Sequence, residues 1–71
     1  MSERDVERAC KPADFVASLR RLADAIEAEE GFRIQVVNSR FTVPAGAELS
    51  IEHEASDGEH ELEFQLKWRD D

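Results

Sequence analysis

Seventy-one residues allow a single domain, and at that size one core leaves only about 3–5 kcal/mol of net stability. Seventeen acidic against nine basic residues, a net charge of −8, set a negative potential that repels phosphate backbones and anionic membranes, which excludes the basic footprint of ordinary nucleic-acid binding. The lone Cys10 cannot close an internal disulfide, and no apolar run suits a signal-peptide core or a membrane span; the expectation is a soluble, cytoplasmic chain.

Residues 1–11 are mostly charged. Val6, Ala9 and Cys10 fit a helical stripe, while Val6 and Cys10 also fit one face of a short edge strand. A flexible arm is expected there. Pro12 then stands where a first helical residue is tolerated, and Asp14 lies in the first turn, where the helix dipole favours an acid. The spacing predicts a helix over 12–30: Phe15, Leu19, Leu22 and Ile26, flanked by Val16 and Ala23, form one apolar stripe. Gly31 is its expected C-terminal cap.

From Phe32 the period changes to two. Phe32, Ile34 and Val36 point one way, and Arg33, Gln35 and Val37 the other. An Asn38-Ser39 turn places Val36 opposite Phe41 and Ile34 opposite Val43. Pro44 to Ala47 breaks the second strand, because proline cannot donate to a ladder. A third strand, Glu48 to Ser56, turns at Asp57-Gly58, a strong hairpin signal. That turn sets Ile51 against Phe64, Leu49 against Leu66 and His53 against Leu62, with Ala47 opposite Trp68.

The expected fold class is α+β: one N-terminal helix packed on a four-stranded antiparallel meander sheet over residues 12–68, followed by an acidic tail at 69–71. Leu19, Leu22, Ile26, Ile51, Phe64 and Leu66 are its expected core cluster. The series Leu-Arg-Arg-Leu-Ala-Asp-Ala at 19–25, Val43-Pro44, the alternating acidic strand at 48–54 and Glu61-Leu-Glu-Phe-Gln-Leu-Lys-Trp68 resembles the amphi-Trp domain over about residues 13–68. The resemblance implies this fold, gives Trp68 as the namesake position and implies no catalytic residue.

The residues themselves offer catalysis little. There is no phosphate-binding glycine loop, no cysteine pair, no nucleophile elbow and no tyrosine, and Ser18, Ser39 and Ser56 have no evident base beside them. A non-enzyme without cofactor is expected. The outward face of the last hairpin carries Glu48, Glu52, Glu54, Glu59, Glu61 and Glu63, with Glu54 opposite Glu61 and Glu52 opposite Glu63. Like charges across a strand pair are destabilising. A solvated face, a basic protein partner or a hard divalent cation such as Ca²⁺ or Mg²⁺ would each fit, although a flat sheet does not wrap a cation in oxygens. His53 and His60 fall on the inner side near the hairpin tip, as the rim of a core, as zinc ligands or as a pH-responsive contact. No metal site is assigned to them. Trp68 serves either as a core lid or as a binding anchor.

The candidate interaction face is therefore Glu52, Glu54, Glu61, Glu63 and Trp68. The leading functional reading is a non-catalytic protein-interaction or accessory module that meets a basic protein or a second copy of itself as a homodimer. A cation-responsive domain and an acidic nucleic-acid mimic that binds a basic protein are the alternatives.

Overall fold

The computed structural model describes residues 4–71; the first three residues of the expected arm lie outside that range. Residues 4–11 take no helix or strand, and the Arg4 guanidinium donates to the Val36 carbonyl. Lys11, extended at φ −73° and ψ 151°, precedes helix α1 (Pro12–Glu27) with no side-chain cap. Its carbonyl accepts the Phe15 N–H at 3.0 Å, the first turn of the helix that Pro12 opens.

The helix ends at Glu27 rather than near Glu30, and Gly31 is not its cap. The Glu30 N–H reaches the Ala25 carbonyl at 2.9 Å and the Glu29 N–H reaches Ile26 at 3.1 Å. This is the Schellman pattern, with Glu29 in the left-handed position at φ 56°. Gly31 serves a different need. A Cβ there would lie 3.2 Å from Thr42 Cγ2 and 3.4 Å from the Val43 carbonyl oxygen, so glycine lets the chain pass close to the next strand pair.

Strands β1 (Phe32–Val36) and β2 (Ser39–Val43) pair antiparallel, with Phe32 opposite Val43, Ile34 opposite Phe41 and Val36 opposite Ser39. The turn is Val37-Asn38, not Asn38-Ser39, and the register is two residues from the expected one. The reason is Pro44. The expected register would set it opposite Arg33 inside the ladder, where proline has no N–H to give; the observed one closes the ladder at Val43. Because the shift is even, every side chain keeps its face. Val37 bears the cost, at φ 59° for a β-branched residue.

Strands β3 (Glu48–Ser56) and β4 (Glu59–Lys67) pair as the sequence predicts, with Leu49 opposite Leu66, Ile51 opposite Phe64 and His53 opposite Leu62. Asp57 at φ 52° and Gly58 at φ 80° supply the two positive φ values of a type I′ turn. The fold is α+β: one helix, then four antiparallel strands in meander order. The hydrogen-bonded ladder is divided into two hairpins, separated by the Pro44–Ala47 turn, in which the Ala47 N–H meets the Pro44 carbonyl at 3.2 Å.

The helix packs on β1. Arg21 fastens that contact: its guanidinium lies 5.1 Å from the Phe32 ring centroid and donates to the Arg33 carbonyl at 2.8 Å. The buried hydrophobic side chains among the described residues are Phe32 and Val43, at 7% and 6% exposure. Trp68, just beyond β4, stacks on Phe41 of β2, with ring centroids 6.1 Å apart.

Candidate functional site

Alternation along β3 and β4 gives this hairpin two unlike faces. On one, the rungs Leu49 with Leu66, Ile51 with Phe64 and His53 with Leu62 follow each other toward the tip. This face is not covered: Leu49, Ile51, Leu62 and Phe64 are 54–67% exposed. The expected closed cluster is instead the wall of a groove. Leu22 and Ile26 of α1 line an open cavity of about 330 Å³ with Ile51, Phe64 and Leu66. Leu19 faces a second one of about 510 Å³, shared with Phe15, Phe32 and Phe64.

The other face is acidic, and its rungs stand as expected, Glu52 opposite Glu63 and Glu54 opposite Glu61. The side-chain amide Nε2 of Gln65 donates to Glu52 at 2.9 Å and to Glu63 at 2.7 Å, while Ser50 Oγ donates to the Gln65 side-chain oxygen Oε1 at 3.0 Å. One neutral donor thus lies between two opposed carboxylates and offsets part of their repulsion. Sequence reasoning missed Gln65, although its place on the same face as both acids, two residues beyond Glu63, was the available signal. Toward the tip, Glu54, Glu61 and Glu63 bring carboxylate oxygens within 4.8 Å of one another.

His53 Nε2 and His60 Nδ1 are 2.9 Å apart, with rings parallel to 4°. The two expected rim residues are each other's hydrogen-bond partner, which requires one ring nitrogen as donor and the other as acceptor. No carboxylate or thiol joins them as a third ligand among the described residues, so the pair falls short of the four ligands of a structural zinc site. Trp68 leaves the ladder on the apolar side, toward Phe41. The proposed interaction face is therefore split by the hairpin, with the four glutamates on one side and Trp68 on the other.

An amphipathic last strand, with Glu59, Glu61 and Glu63 on one face and Leu62, Phe64 and Leu66 on the other, closed by a tryptophan, is the pattern of a known domain family, and the family model for the Amphi-Trp domain matches residues 1–71. The chain belongs to the Amphi-Trp domain family. The match takes in residues 1–11 as well as the 13–68 on which the resemblance rested. No curated protein and no solved structure matches the chain.

Elsewhere on this Amphi-Trp domain, Arg21, Arg33 and Arg40 gather around a shallow hollow of about 280 Å³ with Ile34 and Gln35. Among the described residues, no acidic one lines it. No helix among the described residues is long and apolar enough to cross a membrane.

Proposed function

We propose that this Amphi-Trp domain is a non-catalytic protein-interaction module that works through the apolar side of β3 and β4. The observation that carries the reading is the contrast in exposure, with Phe32 and Val43 buried while Ile51, Leu62 and Phe64 stay more than 60% exposed. Contiguous exposed apolar surface of this kind marks protein contact sites in soluble domains. A net charge of −8, concentrated on the opposite face, keeps the free domain in solution and discourages indiscriminate association.

Affinity purification from the protein's own cells tests the reading with substitutions on the two faces. Leu62→Lys should lose the partner that the parent retains, and Glu61→Lys should keep it. Loss on Glu61→Lys with retention on Leu62→Lys would place the contact on the acidic side and refute the proposal.

A second reading, a cation-responsive face, has its own observation in the convergence of Glu54, Glu61 and Glu63 within 4.8 Å. Three carboxylates on an open strand surface supply too few oxygens to enclose Ca²⁺, so binding would be weak. Melting in CaCl₂ and in NaCl at equal ionic strength separates specific binding, which raises the midpoint only with calcium, from plain screening.

A further inference from the structure

We infer that the occupant of the apolar face is a second copy of this chain, and that the domain works as a two-fold symmetric dimer joined through β3 and β4. The inference rests on the interaction-module reading and names its partner. Its first support is area. On β3 and β4, Leu49, Ile51, Leu62 and Phe64 are 54–67% exposed and at on the order of 200 Å² per large side chain present roughly 500 Å². Phe15 and Leu19 of α1, 56% and 42% exposed and sharing a cavity with Phe64, bring this to roughly 700 Å², near the ~800 Å² per partner of a standard interface.

The second support is the shortage of any other core. A chain of 71 residues whose buried hydrophobic residues, among those described, are Phe32 and Val43 removes little apolar surface from water by itself, and domains of this size commonly meet that shortage by association. Covering the β3 and β4 face with an equal face supplies the missing layer of a sandwich.

Charge placement is the third. In a two-fold contact every residue that one copy offers is offered by the other, so a surface rich in one charge sign opposes itself. The even positions of β4, His60, Leu62, Phe64 and Leu66, include no acid. Glu52, Glu54, Glu61 and Glu63 point away, so two stacked copies carry their acidic faces on opposite outer surfaces.

Sedimentation equilibrium of the parent and of Cys10→Ser, both under reducing conditions, tests the inference without a disulfide as confounder. The expected result is twice the 8.1 kDa chain mass at micromolar concentration, with an unfolding midpoint that rises with protein concentration. Leu62→Lys and Ile51→Lys should each abolish the dimer. If neither variant folds, the concentration dependence of the parent and intermolecular NOEs between labelled and unlabelled copies at Ile51 and Leu62 still decide. A parent that is monomeric and binds a hydrophobic dye on this face overturns the second copy and leaves the module reading standing. A monomer whose Ile51 and Phe64 are shielded and bind no dye means the groove closes within one chain, and both fall. A dimer untouched by either lysine places the contact elsewhere and overturns the inference.

Discussion

The rings of Phe41 and Trp68 lie 6.1 Å apart at an interplanar angle of 28°, bringing together two hairpins that share no ladder hydrogen bond. Phe41 belongs to β2 and Trp68 follows β4, so the pair spans the break at Pro44 to Ala47. Trp68→Ala should cost about 2 kcal/mol in denaturant unfolding, less than deletion of a fully buried tryptophan because the residue is 37% exposed. A double-mutant cycle with Phe41→Ala should return a coupling of about 0.5–1.5 kcal/mol. Additive losses would show that the two rings stabilise the fold separately.

Glu29 holds a left-handed conformation at φ 56°, at a helix end where the dipole disfavours an acid. Glycine takes this conformation freely. Glu29→Gly should therefore stabilise the domain by about 1 kcal/mol and raise the melting midpoint by roughly 4–8 °C. Calorimetry checks the direction, and a lower midpoint would mean that the Schellman cap is not formed in solution.

Gln65→Leu removes the amide between Glu52 and Glu63, leaving two opposed carboxylates without their shared donor. A loss of about 1 kcal/mol at low salt is expected, with most of it recovered as salt shortens the reach of the repulsion from about 10 Å at 0.1 M to about 3 Å at 1 M. Equal losses at both salt concentrations would assign the effect to packing.

Glu61→Lys converts the rung with Glu54 from like to unlike charges. Stability should rise by up to about 1 kcal/mol at low salt, and the salt dependence of unfolding should flatten. The parent should gain stability with added NaCl over the same range. A destabilised variant beside a salt-indifferent parent would mean that these acids do not oppose each other in solution.

Zinc is expected to leave the domain on dialysis, since His53 and His60 supply two nitrogens and no third ligand joins them among the described residues. Stoichiometric zinc that survives dialysis and disappears in His53→Ala would show a site completed from elsewhere.

The last hairpin was fully legible in the sequence because two independent signals agree there. Asp57-Gly58 takes the positive φ values that its composition advertises, and the register that this turn sets is one in which the alternation keeps Leu49, Ile51, Phe64 and Leu66 on one face. The first hairpin was legible in its faces but not in its turn. Val37 is a residue type that gives no warning of φ 59°, and the constraint that moved the turn, the missing N–H of Pro44, acts from the far end of the ladder. Glu29 misled in the same way, as a C-terminal cap without the glycine that usually signals one. The candidate site was harder, for a further reason. Periodicity says which side chains share a face, but nothing in it says whether another element covers that face, and Phe64, expected in a closed core, is 61% exposed.

The break at Pro44 to Ala47 also bears on how the domain comes apart. With no ladder hydrogen bond between β2 and β3, the helix with the first hairpin and the long second hairpin are two cooperative units of differing local stability. Amide exchange should then proceed at two rates rather than one. The amides of β3 and β4 should reopen as a block, and those around Phe32 and Val43 should be the last to exchange. The same division makes folding local: each hairpin closes over its own short turn, and the meeting of Trp68 with Phe41 waits for the whole chain.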